Sequence, residues 1–199
     1  MSNETYRQFD PWRPAPFKEE ARKQIVSSHY FNVDHLTLES PQSGRFDRYV
    51  LHGNNGDSVG VLAVTSDGQI PLVEQYRIPT HRWTLEIPGG HASSPTERAQ
   101  DVAVRKLREE GGYEAKEFVQ FTRFIEEPSF SSQYTALFLA TGLTPVERSV
   151  IGPESPRSDV RLYTVDEAME LVNNGTIVDA KTIIAIVRLH GGLLKHIKG

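Results

Sequence analysis

No cysteine occurs among the 199 residues, which excludes disulfides, thiol nucleophiles and thiolate metal sites and suits a reducing cytosol. No stretch approaches the ~18 apolar residues of a membrane span, and Met1 to Asp10 is polar without an apolar core. Secretion and membrane insertion are therefore not expected, and a cytoplasmic protein is. Basic runs are also missing: 22 Lys and Arg are interleaved with 26 Asp and Glu to a net charge of -4, so nothing tracks a phosphate backbone and no nucleic acid is expected as partner. The seven histidines have no metal-ligand spacing, and there is no internal repeat. What remains is an ordinary globular composition, 38% hydrophobic and 24% charged. Its length is enough for one main core and a small appendage.

Prolines 11, 14 and 16, with Trp12 and Phe17 between them, predict an extended arm over the first 20 or so residues. Short strands are expected at Gln24 to Ser27, Phe31 to Leu38 and Arg45 to Leu51, forming a small antiparallel β unit. Residues 1–55 are thus read as an arm and β unit, and 56–199 as the main domain. Past Asn54-Asn55-Gly56-Asp57, the apolar runs Val59 to Thr65 and Ile70 to Gln75 flank Ser66-Asp67-Gly68 and read as a hairpin. Strands at Trp83 to Ile87, Phe118 to Ile125, Tyr134 to Ala140 and Val160 to Tyr163 then alternate with three helices, which predicts mixed α/β layering. Ser94-Pro95-Thr96-Glu97 reads as a capping box starting a helix of roughly four turns that stops at Gly111-Gly112. Thr164 with Glu167 repeats the box, and Asp179 caps the last helix.

Wound at about 100° per residue, the first helix places Ala99, Val102, Ala103 and Leu107 on one stripe. Lys106, Glu109 and Glu110 fall within the same angular range. Burying charge is costly unless it is paired or bound to a cation. Either these carboxylates hold a hard cation at a cleft, or the last turn projects into solvent.

The run Glu86-Ile87-Pro88-Gly89-Gly90, then Glu97, Arg105, Leu107, Glu109-Glu110, Gly112 and Tyr113, resembles the Nudix box, G-x5-E-x7-R-E-U-x-E-E-x-G-U, where U is a bulky apolar residue. Two positions depart from it. The glycine comes one residue early, at Gly90, and Lys106 stands where the family has a glutamate that serves as metal ligand or base. Val73-Glu74-Gln75-Tyr76-Arg77, Pro128-Ser129-Phe130-Ser131-Ser132-Gln133 and Asp179-Ala180-Lys181-Thr182 are similar to the ADP-ribose pyrophosphatase branch. In the second of these, Gln133 replaces an acid and Ser129 a glycine.

The resemblance implies the Nudix fold, a mixed β-sheet in an α/β/α sandwich with a small N-terminal β unit. It implies a hydrolase that cleaves the diphosphate of ADP-ribose or a related nucleoside diphosphate derivative, with Mg²⁺ or Mn²⁺ as cofactor. The implied metal ligands are Gly89, through its carbonyl, with Glu109 and Glu110. Arg105, Glu109 and Glu110 are the catalytic candidates, and Arg77 and Glu86 the substrate-binding ones. Rival readings stay open at several positions. Arg105 could simply pair with Glu109, Arg77 with Glu86, and the Lys106 ammonium could neutralise Glu109 and Glu110 in place of a metal. Glu97 is explained by capping. The branch keeps a later catalytic glutamate, for which only Glu154 and Asp159 are available. Trp12, Phe17, Tyr30 and Phe31 could stack an adenine across a dimer or pack locally, and a homodimer built partly by residues 1–52 is expected, because so short a β unit has too few strands to be stable alone. With a carboxylate missing, a catalytically impaired nucleotide-sugar binding protein is the alternative function.

Overall fold

The structure is a computed structural model that describes residues 10–149 and 160–197. Strands β1 (Lys18–Ser27), β2 (Phe31–Ser40) and β3 (Gly44–Gly53) form an antiparallel sheet of their own, ordered β1-β2-β3. β1 starts six residues before the expected Gln24, and every residue in it is exposed. The arm is accordingly shorter.

β4 (Ser58–Ala63), β7 (Gly89–Gly90), β9 (Glu117–Ile125) and β10 (Tyr134–Thr141) make a mixed sheet ordered β7-β4-β10-β9. Here β4 and β10 run parallel, with Thr135 opposite Ser58. β5 (Ile70–Arg77), β6 (Arg82–Glu86) and β12 (Val160–Tyr163) form a second, antiparallel sheet ordered β12-β5-β6. β8 (Tyr113–Glu114) and β11 (Thr144–Pro145) are a small separate pair.

The expected hairpin of β4 with β5 does not form. A tight turn does join them, with the Thr65 amide donating to the Gln69 carbonyl (3.0 Å). A strand has two edges, however, and those of β4 are taken by β7 and β10. The chain therefore crosses to the second sheet, where β5 pairs with β6.

The two faces of the mixed sheet bury different helices. Val59, Val61, Ala63, Ala136, Phe138 and Ala140 pack with Val102, Ala103 and Leu107 of the first helix. The alternate residues Leu62, Val64, Leu137 and Leu139 join Ile70, Leu72, Leu85 and Ile87 against Ala168, Ala185, Ile186 and Leu189 of the later helices. This two-residue alternation, apolar on both sides, is what a strand between two helical layers requires. The outcome is an α/β/α sandwich, and the apolar stripe on the first helix is buried as its periodicity predicts.

That helix differs at both ends from expectation. α1 (Ala99–Lys106) begins after Arg98, which makes no side-chain cap, and is followed by a π-helical turn over Leu107–Gly111. Residues 94–97 form a turn instead of a capping box, because the Glu97 carboxylate accepts from Arg105 and from the Ser93 amide. By contrast α2 (Val165–Asn173) has the Thr164–Glu167 box, and α3 (Ala180–His190) has Asp179 accepting from the Thr182 amide. α4 (Leu193–Ile197) follows. No helix among the described residues is long and apolar enough to cross a membrane.

Gly89 lies where β7 meets β4, and a Cβ there would overlap the Val59 carbonyl oxygen. Gly89→Ala should therefore force the two strands apart and destabilise the protein by about 1–3 kcal/mol, as overpacking does. Urea denaturation would read the loss, and an unchanged midpoint would contradict the close approach.

Candidate active site

A cleft of about 910 Å³ opens where the starts of β4 and α3, the β7 segment and the end of α1 meet. Its walls include Arg77, Gly89, His91, Arg105, Lys106, Glu110, Glu126 and Lys181.

One wall is built on a buried carboxylate. Glu86 ends β6 with 3% of its surface exposed. Arg77 of β5 grips it through Nε (2.7 Å) and Nη2 (2.5 Å). The Thr84 hydroxyl donates to it at 2.6 Å, and Lys181 Nζ closes the cluster from the first turn of α3. A cation at a helix N-terminus opposes the helix dipole. Lys181 is held there by Glu86 and by Asp179 Oδ1 at 2.9 Å. Its stem passes close to Gly60 and Gly89, 3.4 and 3.3 Å from where a Cβ on each would stand. Burial alone would raise the Glu86 carboxyl, but hydrogen bonds from Arg77 and the charges of Lys181 and Arg77 hold it at about 2.

The other wall is the π-helical turn. Closing it with the Gly112 amide on the Leu107 carbonyl widens the helix by one residue, a distortion frequent at functional sites, and Glu110 of this turn lines the cleft. Lys106 Nζ lies 3.1 Å from Glu109 Oε2 and 3.3 Å from Glu110 Oε1, with its stem over Gly90. Glu110, 5% exposed, also accepts from the Gly89 amide at 3.0 Å. Arg105 reaches Glu97 (2.8 Å), Glu109 (3.3 Å) and the His91 carbonyl (3.1 Å). This bonding, first from Arg105 and then from the Ser93 amide, keeps Glu97 below the usual carboxylate range.

The expected ligand set of Gly89, Glu109 and Glu110 is thus close in space, but it is engaged otherwise. Its two carboxylates are neutralised by Lys106 and Arg105, and Gly89 meets Glu110 through its N–H. No group of three or more His, Cys, Asp or Glu among the described residues could hold a metal. Oxygen-rich coordination is what Mg²⁺ demands, so this donor set does not fit a tightly held divalent cation.

The remaining candidates fall in different places. Arg77 and Glu86 are paired, and Arg105 bonds both Glu97 and Glu109. Tyr30 lies at the cleft, its ring 6.5 Å from that of His91, while Phe17 packs edge-on against Phe46 within the N-terminal sheet. Glu154 and Asp159 lie outside the described residues. Gln133, in place of an acid, has a packing role: its Nε2 donates to the Gly56 carbonyl at 2.9 Å, and its side chain fills the space that Gly53 leaves open. Lys181 and Thr182 belong to the Asp179-Ala180-Lys181-Thr182 motif, whose pattern alone gives them no role; in the fold the Thr182 hydroxyl accepts from the Ile87 amide and so fixes α3 to the box. Ser58, Thr135 and Glu126 carried no motif at all.

A helix–sheet–helix sandwich with charged side chains gathered at one end of its sheet, around a loop-helix segment rich in Gly and Glu, defines the class. The NUDIX domain model matches residues 54–185, and the chain belongs to the Nudix family. An ADP-ribose pyrophosphatase of Bacillus subtilis (strain 168) is 33% identical over 166 residues, covering 83% of this chain and 88% of that protein. The methanol dehydrogenase activator of Bacillus methanolicus is 31% identical over 167 residues, 82% and 87% of the two chains. A crystal structure of an ADP compounds hydrolase has the same fold, with a TM-score of 0.74 at 21% identity over 92% of this chain and 96% of that one.

A carboxylate depressed in the folded state stabilises it fully above its unfolded value, near 4.5, and the contribution is lost as pH falls toward 2. Glu86→Gln should cost about 3 kcal/mol at neutral pH by leaving two cations beside a neutral amide. The difference in stability between wild type and variant should shrink between pH 4.5 and 2. Urea titrations across that range would reveal it, and a constant difference would mean that Glu86 is not held as an anion.

Proposed function

We propose that this Nudix hydrolase cleaves the diphosphate of ADP-ribose or a closely related nucleoside diphosphate derivative, giving a nucleoside monophosphate and a sugar phosphate. The observation that carries the reading is the convergence of Arg77, Lys106 and Lys181, with Arg105 beside them, on one cleft of a size that takes nucleotide ligands. Fixed cations there neutralise the diphosphate and the charge that grows on it as the phosphorus is attacked. Arg77 and Lys181 are kept in place by Glu86, and Arg105 by Glu97 and Glu109. In this reading Arg77 with Glu86 forms the substrate-binding wall, and Arg105, Glu109 and Glu110 the catalytic one. The resemblance to ADP-ribose pyrophosphatases across most of the chain supports the substrate class.

Nudix hydrolases generally use divalent metal ions. We read the ion here as Mg²⁺, or Mn²⁺, bound weakly because Lys106 adds positive charge where Gly89, Glu109 and Glu110 would receive it. A cysteine-free chain fits a cytoplasmic enzyme. Residues 1–55 we read as a unit appended to the domain of residues 56–199 and serving a homodimer. Ile25, Val26, Phe31 and Tyr49 leave apolar surface exposed on its sheet. Sedimentation should give a dimer, whereas a monomer persisting at high concentration would rule this out.

Replacing the ammonium tests the site directly. Lys106→Glu would place three carboxylates on one helix face and should raise Mg²⁺ affinity and hydrolysis together, by about 10 to 100-fold. Without metal the variant should melt earlier, since like charges crowd the turn. Calorimetric Mg²⁺ titration, alongside hydrolysis of nucleoside diphosphate sugars, supplies both readouts. A folded variant no better than its parent at saturating Mg²⁺ would favour the other reading, a catalytically impaired nucleotide-sugar binder whose carboxylates Lys106 has permanently satisfied.

A further inference from the structure

Hydrolysis at the cations of this cleft needs a group that takes a proton from the attacking water, and the usual place for a carboxylate is filled by Lys106. Lysine and arginine, protonated, cannot accept one. Three carboxylates line the cleft among the described residues: Glu110, Asp179 and Glu126. Glu110 is buried and tied to Lys106 and the Gly89 amide. Asp179 has both oxygens engaged, Oδ1 by Lys181 and Oδ2 by the amide and hydroxyl of Thr182.

Glu126 differs. It is exposed to the cleft, and the bonds it accepts all fall on Oε1, from the hydroxyls of Ser58 (2.5 Å) and Thr135 (2.6 Å). Those hydroxyls begin the parallel strands β4 and β10, directly opposite each other in register, and both are buried. The Glu126 amide donates to the Gln133 carbonyl at 3.1 Å, so the carboxylate is fixed from the backbone as well. One oxygen is clamped, and among the described residues no hydrogen bond falls on the other, Oε2, of this cleft-lining carboxylate. A base oriented by a third group and reachable by water is what general base catalysis needs.

Resting on the hydrolase reading above, we propose that Glu126 is the general base of this site, with Ser58 and Thr135 as its positioning residues. Water bonds to phosphorus through its oxygen while its proton passes to Glu126 Oε2. The bridging P–O bond breaks, and the second phosphate leaves with the bonding electron pair. Glu126 then returns the proton to solvent. Glu154 and Asp159 lie outside the described residues, and among the described ones the nearest rival is His91. Its imidazole keeps solvent contact, but the cleft walls and the charges of Lys106, Arg77 and Lys181 favour its neutral form, against the pull of Glu126. No hydrogen bond to its ring is found among the described residues, so nothing orients it.

The test uses the full-length protein with ADP-ribose and Mg²⁺. Glu126→Gln keeps an oxygen for both hydroxyls, and it should melt as wild type does and bind substrate with little change in KM. Its kcat should fall by about 10² to 10⁴-fold, the usual worth of a general base. Glu126→Asp, a carboxylate set back by one methylene, should recover part of the loss. Ser58→Ala and Thr135→Val should lower kcat by less, again with KM maintained. A Glu126→Gln variant with kcat near wild type overturns the proposal, as does a loss seen in His91→Gln but not in Glu126→Gln. If wild type itself cleaves no nucleoside diphosphate derivative, the hydrolase reading fails first and the base with it.

Discussion

The arrangement depends above all on one buried anion. Glu86 draws Arg77 from β5, Thr84 from β6 and Lys181 from α3 to a single carboxylate. A lone buried charge would be costly, and two cations at a cleft would repel each other; together each removes the other's penalty. The second sheet, the last helix and the cleft wall are thereby locked into one geometry. Because Arg77 is only partly buried, the cluster keeps a cationic face toward the cleft.

The opposite wall solves the same electrostatic problem from within its own sequence. Glu109 and Glu110 must end a helix whose apolar stripe is packed against β4 and β10, and the π-helical turn brings them inward instead of releasing them to solvent. Lys106, one helical turn earlier, lies near enough to both to neutralise them without an added ion. Substrate phosphates therefore meet a wall whose acids are already compensated. Proton acceptance then falls, on the proposal above, to a carboxylate supplied just past the end of β9.

The end of the sheet where Glu126 sits is fixed by the N-terminal unit as well. The Leu51 amide donates to the Phe130 carbonyl, and the Ser132 amide to that of Leu51, so β3 and the loop before β10 hold each other. Gln133 fits against Gly53 and bonds the Gly56 carbonyl. Where the resembling motif has an acid, this chain has an amide that ties the loop down.

Local chemistry made much of this legible in the sequence. The caps at Thr164 and Asp179, the apolar stripe through Val102, Ala103 and Leu107, and the spacing of Gly90, Arg105, Glu109 and Glu110 each depend on residues a few positions apart. Hydrogen bonding and helical periodicity act over that range. The failures arose where a distant partner outcompeted a local one. Glu97 left its capping role for Arg105, and β4 left its neighbour β5 for β10, because a strand's edges and a buried carboxylate are satisfied by whichever group the fold brings nearest. The meeting of Ser58, Thr135 and Glu126 was invisible for the same reason: parallel pairing aligns strands 77 residues apart, and no local pattern encodes that register. The sequence by itself determined the family, the helix faces and the charges available. Only the tertiary structure decided which charges neutralise one another and which carboxylate keeps an oxygen for the reaction, since pairing energy depends on distance in space and not along the chain.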